Sequence, residues 1–110
     1  MKQINAVQLK EWLDEVKAGK RAPPVLLDVR EPWEFDAARI PGAKLVPMRA
    51  IPARYMELQR DAEVVVICHH GARSYQVGLF LEHQGFDNVI NLYGGMAAWS
   101  RDADPNTPTY

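Results

Sequence analysis

Cys68 is the only cysteine in the chain, and its surroundings are those of a reactive thiol. It ends the apolar run Val64-Val65-Val66-Ile67 and stands directly before His69-His70-Gly71-Ala72-Arg73-Ser74. A β-branched run of this kind is strand material, and the residues after Gly71 suit a helix. Strand, thiol, short polar loop and helix, in that order, make a reactive thiolate. The thiolate is the nucleophile, and helix N-termini and nearby cations stabilise it. Gly71 permits a turn with positive φ. The amides from His69 to Arg73 can then face inward as a nest for an anion, backed by the positive end of the helix. His69, His70 and Arg73 add cationic or hydrogen-bonding groups at the mouth, and Ser74 follows at the helix start. Attack on the outer sulfur of a thiosulfonate or persulfide needs such a loop and little acid–base help. A lone cysteine at a strand end is also often a small buried hydrophobe. The glycine, arginine and helix start in register favour chemistry.

Asp28 and Arg30 lie at the end of a second apolar run, Val25-Leu26-Leu27-Asp28-Val29. Asp28 is expected either to fix the cysteine loop, by accepting from Arg73 or a loop amide, or to form a structural pair. Arg30 is expected to pair with Glu34, four residues on. His69 and His70 do not suggest a metal, because adjacent histidines rarely share one ion and Cys-His-His lacks the usual ligand spacing. Gly94-Gly95 lacks the other glycines of a dinucleotide motif and reads as a tight turn near the active face. No cofactor is implied. Trp12, Trp33 and Trp99 are expected in the core or at its edge, and His83 in solvent near a helix end. Arg49 and Arg54 are as well placed for solvent as for the pocket rim.

These side chains need a scaffold. Asn5 is a good N-cap, and Leu9, Trp12, Leu13 and Val16 repeat at helical spacing, so the pattern predicts a helix over 6–17 stopped near Gly19. Pro23-Pro24 precedes a buried strand at 25–29. Pro32 opens a short helix reaching Phe35 and Ala38, and Pro41-Gly42 turns the chain into a short strand near 43–46. Pro52 opens a further helix with Tyr55, Met56 and Leu58. A strand over 63–68 leads into a helix over 73–83 that Gly85 stops. A strand over 89–92 precedes a last helix holding Met96 and Trp99. Strands alternating with helices imply a mainly parallel sheet covered on both faces. In such sheets the site lies at the carboxyl ends of the strands, where Cys68 and Asp28 both fall.

With 110 residues the chain is one domain. Thirteen basic and fourteen acidic residues give a net charge of −1, which argues against general nucleic-acid binding. No apolar run approaches the length of a membrane span, and the first residues lack a secretory core. One cysteine cannot form an internal disulfide. A reduced thiol in the cytoplasm is the expectation. Residues 102–110, rich in proline, asparagine and threonine, read as a poorly ordered tail.

The segment Cys68-His69-His70-Gly71-Ala72-Arg73-Ser74 resembles the active loop of rhodanese-like sulfurtransferases, and the likeness runs along nearly the whole chain. Leu27-Asp28-Val29-Arg30-Glu31-Pro32-Trp33-Glu34-Phe35 resembles the family's first signature and Ile40-Pro41-Gly42-Ala43 its second. Gly85-Phe86, Asn88-Val89, Leu92-Tyr93-Gly94-Gly95-Met96 and Trp99 resemble its C-terminal part. The resemblance implies one α/β domain over 1–101, with a mainly parallel, five-stranded central sheet and helices on both faces. It implies a thiosulfate sulfurtransferase in which Cys68 carries sulfur as a persulfide. His69, His70, Gly71, Ala72 and Arg73 would bind the substrate, supported by Asp28, Arg30 and Ser74. The partners implied are a small sulfur donor and a thiol or cyanide acceptor, or a sulfur-relay protein, with no metal, nucleic acid or membrane. Arg39 stands where the family often has histidine, a position read as structural.

Two alternatives stand beside this reading. Cysteine-dependent phosphatases and arsenate reductases use a similar loop with five residues between cysteine and arginine, a wider cradle for a tetrahedral anion. Four lie between Cys68 and Arg73. A persulfide carrier or thiol-sensing interaction module, without turnover, is the other.

Overall fold

A computed structural model describes residues 1–110. Five parallel strands form one sheet in the order β1-β5-β4-β2-β3: β1 Lys2–Ile4, β2 Val25–Asp28, β3 Lys44–Leu45, β4 Val64–Ile67 and β5 Val89–Leu92. Helices α1 (Ala6–Lys17), α2 (Pro32–Ala37), α3 (Ile51–Arg54), α4 (Ala72–His83) and α5 (Gly95–Ala98) connect or follow them. The expected architecture is present, and every pairing is parallel.

The strands carry the alternation that two covered faces require. Val65 and Ile67 pack with α1 and α5, among Leu9, Trp12, Met96 and Trp99. Val64, Val66 and Cys68 face the other way, onto Val77 and Leu81 of α4 and Ile51 of α3. All four residues of β4 are fully buried, each contributing about 1.5–3 kcal/mol of apolar burial. Helix α1 begins as its sequence suggests, with Asn5 and Gln8 capping one another's amides at 2.8 and 2.9 Å.

The chain leaves β2 outward to β3, then returns to β4 and leaves outward the other way to β5. The carboxyl ends of β2 and β4 therefore flank the point where the winding reverses, and a crevice opens there.

Three features differ from the sequence expectation. β1 is a strand that no apolar run announces. It is a short, mostly exposed edge whose partner β5 supplies the register, Gln3 opposite Asn91. The helix expected after Pro52 is broken into three turns, Met48–Ala50, Ile51–Arg54 and Tyr55–Glu57. The stretch 102–110 was expected to be loose. Instead the chain continues α5 through a π-type turn at Trp99–Ala103 and folds back, burying Thr107 and bringing Tyr110 to the crevice.

Candidate active site

The last residue of β4 hands over directly to Cys68, so the rigid centre of the sheet fixes where the sulfur sits. Two backbone bonds then set the loop. The amides of Met96 and Ala97 in α5 donate to the carbonyls of Cys68 and His69 at 2.8 and 3.0 Å. This contact needs Gly95, because a Cβ there would collide with both carbonyls. In a trans peptide the N–H points opposite to the C=O, so the amides of His69 and His70 face away from α5. Gly71 takes φ +104 and turns its own N–H onto Cys68 Sγ at 3.0 Å. The first intrahelical bond of α4 joins Tyr75 N–H to Gly71 C=O. The amides of Ala72, Arg73 and Ser74 precede it without a side-chain cap, so the helix offers unused donors. Of the amides from His69 to Arg73 expected to face inward as a nest, Gly71's alone donates to Sγ.

Ser74 reaches Sγ from behind. Its Oγ lies 3.2 Å from the sulfur and donates to Asn91 Oδ1 at 2.5 Å. Asn91 is held in turn by donating from Nδ2 to Gln3 Oε1 and to Gly71 C=O. The edge strand β1 thus braces the cysteine loop through β5.

The charged residues form two nested pairs. Asp28 and Arg30 are both fully buried. Arg30 donates from Nε and Nη2 to the Asp28 carboxylate, with a closest distance of 2.7 Å, and also to the carbonyls of Glu34 and Ala38. Asp28 therefore does not hold the cysteine loop or Arg73, and Arg30 does not pair with the Glu34 carboxylate. Arg73 does so instead, through two bonds at 2.6 and 2.9 Å. That fork holds the Glu34 carboxyl down at about 2 and raises the Arg73 guanidinium above its usual value. The Tyr110 hydroxyl closes the frame, accepting from Arg30 at 2.9 Å and donating to Glu34 at 3.0 Å. Burial of that hydroxyl pushes it up to about 12, although Tyr110 as a whole residue is 38% exposed.

Above the sulfur lies an open cleft of about 400 Å³, walled by Trp33, Glu34, His69, His70, Arg73 and Tyr110. Cys68 is 1% exposed and forms its floor. The His69 ring packs between His70 and Tyr110, at centroid distances of 4.0 and 4.3 Å. Burial lowers its pKa below the usual range, and positive charge on His70 adds to the effect.

The loop residues His69, His70, Ala72 and Arg73 thus meet at the cleft with Cys68, and Gly71 and Ser74 contact the sulfur. Asp28 and Arg30 stand one layer behind. Arg49 and Arg54 pair with Glu31 and Glu57 away from the cleft. His83 is exposed, and so is Arg39, which lies over the Phe35 ring. Trp12 and Trp99 are core residues, but Trp33 is 64% exposed and stands at the cleft mouth. Sequence reasoning missed Trp33, Glu34 and Tyr110 as site residues, and Asn91 with Gln3 as supports. A local signal existed only for Glu34, whose carboxylate reaches back to the Glu31 amide as a helix cap.

The sheet order, the thiol at the winding reversal and the four-residue loop to Arg73 define one class of domain. The Rhodanese-like domain profile matches residues 6–102, and the chain belongs to that family. It is 38% identical over 105 residues to the "Putative sulfurtransferase YtwF" of Bacillus subtilis, covering 96% of each chain. It is 44% identical over 81 residues to a "Sulfurtransferase" of Allochromatium vinosum, covering 74% of this chain and 76% of that one. The solved rhodanese-like domain protein of Staphylococcus aureus superposes with a TM-score of 0.83 at 33% identity, over 100% of this chain and 99% of that one. Two other curated relatives are longer, the chain spanning 30% and 26% of their length. A transferase of sulfur is the class these relatives support. No helix is long and apolar enough to cross a membrane.

Proposed function

We propose that the protein transfers sulfane sulfur through a persulfide on Cys68, in a reducing compartment such as the cytoplasm. The thiolate attacks the outer sulfur of a donor such as thiosulfate or a persulfide. With thiosulfate the sulfur–sulfur bond breaks, sulfite leaves with the electron pair, and the Cys68 persulfide anion remains. A thiol, or cyanide in the test tube, then takes the outer sulfur and returns the thiolate. A sulfur-relay protein is the corresponding macromolecular partner.

The observation that carries this reading is the Gly71 amide on Sγ at the floor of an open cleft. A donated hydrogen bond stabilises charge on the sulfur. The unused amides of the first turn of α4 lie next to it for the charge that a second sulfur or a leaving group brings. The four-residue loop also favours a single sulfur over a tetrahedral phosphate.

Thiocyanate formation from thiosulfate and cyanide tests it. The wild type should turn over with ping-pong kinetics, and Cys68→Ser should abolish turnover with the fold intact. Retained activity in Cys68→Ser refutes the assignment. Stoichiometric labelling without turnover points to a carrier, and Cys68-dependent hydrolysis of p-nitrophenyl phosphate to a phosphatase.

A further inference from the structure

Cations in the cleft are already spent. Arg73 is forked onto Glu34, and behind the cleft Arg30 is forked onto Asp28. Burial favours neutral His69, which leaves His70 at the exposed rim. The Glu34 carboxylate itself lines the cleft. With Cys68 ionised, Cys68, Glu34 and Asp28 set three negative charges against the two arginines. A dianion meets no uncompensated positive charge at the sulfur. The walls are aromatic instead. The Tyr110 ring packs against His69 and edge-on to Trp33, with centroids 5.7 Å apart in the second pair. Trp33 is largely open to solvent at the mouth. A cleft of about 400 Å³ lies in the range that holds organic ligands, and inorganic thiosulfate would fill a small part of it.

We infer that Trp33 and Tyr110 are specificity-determining residues, forming an aromatic clamp that selects organic sulfane-sulfur donors of low charge over inorganic thiosulfate. This rests on the persulfide reading above and names its substrate class. A donor R–SO₂–S⁻ places its terminal sulfur against Cys68 and its apolar R group in the corner that the edge-on Trp33 and Tyr110 rings form at the mouth. The Cys68 thiolate bonds to that sulfur, the bond to SO₂R breaks, and the sulfinate leaves with the electron pair. One persulfide anion and one sulfinate anion replace one thiolate and one thiosulfonate anion, so charge balances.

Three donors separate charge from ring contact: thiosulfate, methanethiosulfonate and benzenethiosulfonate, each assayed for kcat/KM with cyanide on the whole protein. Methane- and benzenethiosulfonate share leaving-group chemistry and charge, so their ratio reads the clamp. That ratio should favour benzenethiosulfonate about tenfold, the value of a good aromatic contact. Trp33→Ala and Tyr110→Leu should each erase most of it, lowering benzenethiosulfonate turnover several-fold more than methanethiosulfonate turnover. Trp33 is exposed, so its variant carries the test even if Tyr110→Leu loosens the tail. Equal losses on all three donors, or no benzene preference in the wild type, overturn the clamp alone. If mass spectrometry finds no sulfur added to Cys68 from any donor, the sulfurtransferase reading falls and the clamp with it.

Discussion

Arg30 offers the sharpest test of the frame behind the site. The side chain is fully buried and touches the Asp28 carboxylate, the carbonyls of Glu34 and Ala38, and the Tyr110 hydroxyl. In Arg30→Met the Asp28 charge stays buried without a partner. Breaking such a pair costs about 3–5 kcal/mol, and each orphaned carbonyl adds about 1 kcal/mol. A total of about 5 kcal/mol is a large share of the roughly 5–15 kcal/mol that holds a domain together. For a small domain it corresponds to a fall in Tm of roughly 20 °C or more. Urea unfolding followed by circular dichroism measures it. In the double variant Asp28→Leu with Arg30→Met no lone charge remains, so much of the loss should return. A loss under about 1.5 kcal/mol in the single variant, against the expected range, refutes the reasoning. So does a double variant no more stable than the single one.

Acid should act on the outer pair. The folded Glu34 carboxyl lies at about 2 because Arg73 forks onto it, against an ordinary 4.5. A depressed carboxylate stabilises the fold above its ordinary value, and the contribution drains away as pH falls from about 5 towards 2. The shift sets a ceiling of about 3 kcal/mol, and the 35% exposure of Arg73 screens it to about 1–2 kcal/mol. Glu34→Gln should flatten the urea midpoint between pH 5 and 3, whereas an unchanged slope would remove the pair from the account. Gly71→Ala forces a Cβ to 3.3 Å from the Gly94 amide nitrogen at φ +104. It should cost about 1–2 kcal/mol and slow sulfur loading of Cys68 about tenfold, as the donated bond to Sγ is displaced; wild-type loading kinetics would show that the amide is idle.

What the sequence revealed was local. The β4 run, the cysteine loop and α4 are contiguous, so propensity and spacing place them together before any tertiary contact forms. The capping signals at Asn5 and the stop at Gly85 are local too. What it hid is held by distance along the chain. Arg73 and Glu34 are 39 positions apart, and Tyr110 and Arg30 are 80 apart; no periodicity links such residues. Arg30 and Glu34 are four apart in sequence, which invited an ion pair. Arg30 instead lies buried against Asp28, the stronger partner because it is equally buried and bidentate. Strand β1 was illegible because three mostly exposed residues carry no pattern of their own, and β5 gives them one. Residues 102–110 read as loose from composition, while the buried Thr107 and the hydroxyl of Tyr110 depend on surfaces made elsewhere.

The central claim is that Cys68 accepts and holds one sulfur. Intact-protein and peptide mass spectrometry after brief exposure to a sulfane-sulfur donor measures this directly. The account predicts a gain of one sulfur atom, confined to the peptide carrying Cys68 and removed by cyanide or a thiol. An unmodified Cys68 peptide under conditions that leave the protein folded would contradict it.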